Sequence, residues 1–114
     1  MHEIQVKLFE SALSVMNRGL SSDAKPAALF GGTKEGDDVF VTVVGANPEE
    51  DHGFALRMRR GALEMTEHCN PHRDERARAG WTIRLDDLGR IVGDPEHYAA
   101  DPDLMAKLVI RGPS

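Results

Sequence analysis

The sequence predicts an α+β protein: an antiparallel sheet of about five strands, packed by an N-terminal helix and a short C-terminal helix. Three observations lead there. Asp38 to Gly45 is a run of β-branched and aromatic residues in which both alternating sets are largely apolar, the pattern of a strand buried on both faces in the middle of a sheet. His2 to Arg18 carries Ile4, Leu8, Ala12, Val15 and Met16 at helical spacing, with Phe9 and Leu13 beside them. Between and after these two stretches the strand-like segments are separated by short turns, without regular alternation with helices. At 114 residues the chain is expected to form a single domain over 1–114, large enough for a core without disulfide or metal staples.

Taken in order, the N-terminal helix is expected to stop at Gly19, placed for a left-handed C-terminal residue, and Ser21 to Pro26 is a polar connection. Ala27 to Phe30 is a brief apolar run, joined to the central strand by the glycine-rich turn Gly31 to Asp37, so the two read as an antiparallel hairpin. The turn matches no phosphate-loop pattern, because no Lys-Ser or Lys-Thr pair follows its glycines. Phe54, Leu56 and Met58 alternate with Ala55, Arg57 and Arg59, a strand with one buried and one basic face that Gly61 breaks. Ala62 to Cys69 fits both strand and helical spacing, and the alternation of Leu63 and Met65 favours a strand.

Asn70 and Pro71 are helix-start residues and Gly80 is a stop, which predicts a helix whose only apolar interior residues are Ala77 and Ala79. Such a helix has little to bury within its own chain. Trp81, Ile83 and Leu85 read as a one-sided strand, and Asp87-Leu88-Gly89 as a turn returning Arg90 to Val92 alongside it. Asp94 to Ala100 then reads as a linking loop. Asp101 and Pro102 open a closing helix through Leu104, Met105, Leu108 and Val109, ended by Gly112 and Pro113.

The formal charge of −5 argues against a general nucleic-acid binder, since phosphate affinity comes from Lys and Arg. No apolar run reaches the ~18 residues a membrane helix needs, and the acidic Glu3 and Glu10 do not suit a signal peptide. With one cysteine no internal disulfide forms, so a cytoplasmic protein is expected.

Reactive side chains are densest at Glu67, His68, Cys69 and His72, the catalytic candidates. A histidine titrating near neutrality, oriented by Glu64 or Glu67, is the usual proton carrier, and Cys69 is a nucleophile only if its thiol is acidified. The same residue types ligate zinc, but Pro71 separates His68 from His72, and His2, His52 and His97 are isolated, so neither metal nor cofactor is expected. Phe9, Phe40, Phe54 and Trp81, with Leu8, are candidate linings for a mostly aliphatic pocket between the N-terminal helix and the sheet, and Arg57, Arg59 and Arg84 are candidate anion contacts on its outer face.

Two functions follow. The first is association through homo-oligomers, a dimer above all, or with another protein, which would cover the polar helix and the C-terminal helix. The second is a small-molecule binding protein or small enzyme using that pocket and a His/Glu acid–base pair. As for metal, elemental analysis of untagged protein should find well under one zinc per chain, and Cys69→Ser should melt within a few degrees of the parent; stoichiometric zinc or collapse of the variant would reverse that expectation.

Overall fold

The computed structural model describes residues 3–21, 29–32 and 34–112. The elements are α1 (Glu3–Leu20), β1 (Asp38–Val44), β2 (His52–Arg59), β3 (Ala62–Cys69), α2 (Arg76–Ala79), β4 (Trp81–Arg84), α3 (Leu85–Gly93), α4 (Pro95–Ala100), α5 (Pro102–Leu108) and β5 (Ile110–Arg111). Short 3-10 turns lie at Leu29–Gly31, Pro48–Glu50 and Pro71–Arg73. The α+β class stands, with five strands in the order β3-β2-β1-β4-β5 and α1 packed on the sheet. Among the described residues no helix is long and apolar enough to cross a membrane.

β1 is the middle strand, flanked by β2 and β4, and its interior is buried on both faces as its composition requires. The sheet is mixed, however, and not purely antiparallel: β1 and β4 run parallel, with Thr42 opposite Thr82 and Val44 opposite Arg84. A parallel neighbour cannot be reached by a tight hairpin. The chain makes the antiparallel β1-β2-β3 meander, then crosses three strand spacings, roughly 14 Å, to place β4 on the far side of β1. Residues 70–80 are that crossover.

The β2–β3 hairpin turns on Arg60 and Gly61, both at positive φ (54° and 77°), which is the primed two-residue turn that matches strand twist. The Glu35 carboxylate accepts from the backbone N–H groups of both residues, at 2.9 and 3.3 Å.

Alternation along the strands gives the sheet two unlike faces. One carries Val39, Val41, Val43, Phe54, Leu56, Met58, Leu63 and Ile83, all buried in the core with Phe9, Met16, Leu88, Ile91 and Met105 from the helices. Phe9 of α1 and Phe54 of β2 stack at 4.0 Å between centroids, both wholly buried, and each contributes about 1.5–3 kcal/mol by burial. Asn17 fixes the helix to the sheet by bonding both the Leu63 carbonyl (3.0 Å) and the Leu63 N–H (2.8 Å). The opposite face carries Phe40, Thr42, Val44, Ala55 and Thr82, and the crossover lies over it.

Several expectations are corrected. Leu29 and Phe30 form a 3-10 turn and no strand, because both edges of β1 are already taken by β2 and β4; Ala27 and Ala28 lie outside the described residues. Gly19 does not end α1 but sits buried inside it, where a Cβ would stand 3.0 Å from Met105 and 3.2 Å from Pro102. The Trp81 hairpin is absent: β4 ends at Arg84 and residues 85–93 are helical. Leu88 and Ile91, three apart, are both fully buried, so tertiary packing of a helical face overrides the turn propensity of Asp-Leu-Gly. Asp94 to Ala100 is no loop, since Pro95–Ala100 forms α4 with Pro95 in its first turn, and the predicted helix over 70–80 is broken at residues 74–75 into a 3-10 turn and the four-residue α2. The closing helix is where it was expected, and β5 follows it along β4.

Gly80 ends the crossover against the sheet. A Cβ there would lie 2.5 Å from the Phe40 carbonyl oxygen and 3.1 Å from that of Arg76, both backbone atoms. Gly80→Ala should therefore lower the unfolding free energy in urea by about 1–3 kcal/mol. Gly89→Ala, inside α3 with nothing within 4 Å of the new methyl, should be neutral or stabilising by up to about 1 kcal/mol. Equal effects of the two changes would show that close approach to β1 is not what Gly80 serves.

Candidate functional site

Because the crossover spans the second face without an apolar stripe of its own, it does not seal onto the sheet. A cleft of about 470 Å³ remains, with Thr42, Val44 and Thr82 on the sheet side and residues from Pro71 to Arg78 on the other. That volume suits a small ligand. Asp51, immediately before β2, closes one end of it.

Thr42 is the least expected residue in this setting. It is the single hydroxyl in an otherwise apolar strand interior, is 9% exposed, and its Oγ1 is buried with no hydrogen-bond partner. Such a group costs about 1–3 kcal/mol of desolvation relative to a satisfied one. Its neighbour Thr82 is committed, donating to the Gly112 carbonyl at 2.6 Å.

Opposite the hydroxyls stand His72 and Asp51, joined by a 3.0 Å bond between Nε2 and Oδ2. Asp51 is the better buried of the two, its side chain 9% exposed against 56% for His72, and its other oxygen accepts from the Gly45 N–H at 2.9 Å. Since a carboxylate can only accept here, the imidazole donates from Nε2. Arg73 and Arg78 also line the cleft, and neither has an ion pair among the described residues. Asp74, by contrast, is held by Arg76, which also pairs with Glu67 and lies 5.1 Å over the Phe40 ring.

The catalytic candidates separate. His72 faces the cleft with Asp51 as its partner, and Glu67 is engaged by Arg76. His68 lies on the other face of the sheet, where its Nδ1 is 2.9 Å from Nε2 of the buried His52, one nitrogen donating and the other accepting. Cys69 donates to Asp74 at 3.4 Å. Burial, and then the Asp74 carboxylate, push its thiol above the usual range, the opposite of what a nucleophile needs. Among the described residues no group of three or more metal-ligating side chains converges.

The ligand candidates separate as well. Phe9 and Phe54 fill the space between helix and sheet with their own stacked rings, Phe40 is on the opposite face, and Trp81 meets the edge of Phe30 at 5.9 Å and Arg111 at 5.1 Å. Arg57 pairs with Asp38 at 2.8 Å, Arg59 lies 3.9 Å from Glu64, and Arg84 bonds Asp87 at 2.9 and 3.2 Å. Arg57 and Arg84 sit opposite positions 38 and 44 of β1, roughly 20 Å apart along the strand, so they form no common patch.

Thr42, Asp51, Arg73, Arg78 and Thr82 line the cleft and were missed by sequence reasoning. Thr42 had one signal, a lone hydroxyl in a strand expected to be buried on both sides. The others are brought together only by the crossover. Compared with family models, with curated proteins and with solved structures, the chain finds no match.

Asp38 and Asp74 are held below the ordinary carboxylate range by hydrogen bonds from Arg57 and Arg76 respectively. The stability they add is complete above that range and is lost as the pH falls through their lowered folded values. Cys69 reports on the same junction. Its reaction with a neutral disulfide reagent at pH 7.5 should be slower than that of a free thiol, and Asp74→Asn should speed it several-fold by removing the adjacent negative charge. An unchanged rate in that variant would mean that accessibility alone governs this thiol.

Proposed function

We propose that this protein binds a small organic anion in the cleft between the sheet and its 70–80 crossover. The observation that carries this reading is the Thr42 hydroxyl, buried and unpartnered beside a cleft whose other wall presents Arg73 and Arg78, neither with an ion pair among the described residues. A ligand oxygen on Thr42 would satisfy a group that the fold leaves costly, and the two guanidinium forks are suited to carboxylate or phosphate. His72, fixed by Asp51, adds a group able to donate or accept a proton at the ligand. On this reading the small-molecule site lies on the opposite face of the sheet from the one expected, with Asp51 rather than a glutamate beside the histidine.

Association is the second reading, and one observation favours it. Ile110, on the edge strand β5, is 55% exposed beside an open ladder, as a strand that pairs with another copy would be. The polar crossover no longer supports that reading, because it has its own place on the sheet.

The anion reading is tested by titrating labelled protein with lactate, succinate and inorganic phosphate while following amide shifts and unfolding midpoints. Saturable shifts at Thr42, His72 and Thr82 are expected, weakened at least tenfold in Arg73→Gln/Arg78→Gln. Thr42→Val should raise the unfolding free energy of the ligand-free protein by about 1 kcal/mol and yet weaken binding several-fold. If none of the three anions gives saturable shifts in the cleft, or if Thr42→Val destabilises the ligand-free protein, the reading fails.

A further inference from the structure

We infer that the outer edge of β3, with the groove that α1 makes beside it, is a docking surface for an extended basic segment of another protein, which adds to the sheet as a further strand. The inference is independent of the reading of the cleft. β3 is the outermost strand on its side of the sheet, and among the described residues no strand pairs with the eight-residue edge it presents. Such an edge is a template for strand addition unless something blocks it.

Asn17 shows the template in use. Its carboxamide donates to the Leu63 carbonyl at 3.0 Å and accepts from the Leu63 N–H at 2.8 Å, the pair of bonds that one residue of an added antiparallel strand would make there. Leu63 therefore turns both backbone groups away from β2, and alternation turns those of Met65 the same way, where no described side chain caps them. Beyond Met65 the register shifts by the extra residue Thr66, whose hydroxyl donates to the Ala55 carbonyl at 3.2 Å. A long flat strand does not follow an edge twisted in this way, and a short segment does. Beside the edge, Val6, Glu10, Ser14 and Asn17 fall on one line of α1. A cavity of about 640 Å³ is lined by Glu10, Ser14 and Asn17 together with Glu64 and Met65, and a second of about 440 Å³ by Val6, Lys7 and Glu10 together with His68. Glu10 borders both, and the buried Leu13 with the half-buried Met65 gives the first an apolar floor.

Charge selects the partner. Arg18 is matched by Glu96 at 3.1 Å and Glu64 by Arg59 at 3.9 Å, which leaves Glu3 and Glu10 against Lys7 along the groove. On the strand itself, Glu67 shares Arg76 with Asp74. Acid is in excess at both places, so a segment bearing Lys or Arg is attracted. A second copy of this chain is not, because pairing two β3 edges sets Glu64 and Glu67 of one against the same acids of the other. Main-chain bonds at Met65 supply the affinity, and an apolar side chain on Leu13 with basic ones at Glu10 and Glu64 supplies the selectivity.

The test is titration of the intact, isotope-labelled protein at low salt with a short capped peptide of alternating valine and lysine, followed by amide shifts. Two comparators are used: the same peptide methylated at its backbone nitrogens, which keeps its charge and loses its donors, and a peptide of alternating valine and glutamate. The valine–lysine peptide should give saturable shifts at Glu10, Ser14, Met65 and His68. The methylated peptide should bind at least tenfold more weakly, and the glutamate peptide should give no saturable shift. Glu10→Gln/Glu64→Gln should weaken the valine–lysine peptide about fivefold while leaving the unfolding midpoint within a few degrees of the parent. Equal binding of the methylated peptide would mean that charge alone holds the segment, and equal binding of the glutamate peptide that charge does not choose it. Either result overturns the inference, as does a footprint away from β3 and α1, the absence of saturable binding, or self-association of the free protein through the same amides. None of these outcomes touches the reading of the cleft.

Discussion

The parallel pairing of β1 with β4 is the constraint on which the rest of this structure depends. Three strands laid down as a meander leave the free edge of β1 on the opposite side of the sheet from the end of β3. Filling that edge with a parallel strand obliges the chain to travel back over one face. The helices already occupy the other: α1, α3, α4 and α5 share the side that holds Phe9, Phe54 and the buried valines of β1. The crossover is therefore forced onto the face of Phe40, Thr42 and Thr82, and its polar composition becomes intelligible there. It need not bury an apolar stripe, because it is held at points: by His72 on Asp51, by Arg76 over Phe40 and by Gly80 against β1.

Two faces made by one sheet thus have different physics. On the helical side, interdigitated apolar side chains fill the core, and removing any of the large ones would open a cavity. On the crossover side, the contact between sheet and segment is made at points, and polar groups remain along the gap between them. Arg57, Arg59, Arg76 and Arg84 are all compensated by nearby carboxylates, whereas Arg73 and Arg78 have no ion pair among the described residues. The exposed pairs add little stability, about 0–1 kcal/mol each, but they distinguish arginines already engaged from those left to act outward.

What was legible in the sequence follows from the range over which each signal acts. β1, β2 and β3 could be read because alternation within eight residues reports burial on the two faces directly. α1 and α5 could be read because amphipathic spacing and an Asp-Pro start are local. The stretch 81–93 could not. Its first half alternates and its second half, Leu88 to Val92, fits a helical face equally well, and the choice is made by α1, far away in the chain. Whether β4 is parallel or antiparallel to β1 is likewise invisible locally, since it depends on which edge is free. The site was hidden for the same reason: Asp51 and His72 are 21 residues apart and meet only because the crossover returns past the start of β2.

Thr42 alone gave a local sign, and its meaning needed the fold. A threonine within a valine-rich strand is unremarkable where its hydroxyl reaches a backbone carbonyl, as Thr82 does with Gly112. Its shape is close to that of valine, so the same strand built with valine would keep the packing of β1 and lose only a desolvated oxygen. Chains do not gain stability from such an oxygen in isolation, since the cost falls on the folded state and no bond offsets it. The group becomes favourable when something outside the chain supplies the partner. On the opposite face of the sheet from the stacked core, this desolvated oxygen lies beneath the cleft that the crossover leaves beside Thr42 and Thr82. That coincidence, more than the presence of histidine or arginine nearby, is what supports the proposed reading of the cleft rather than of the helical face.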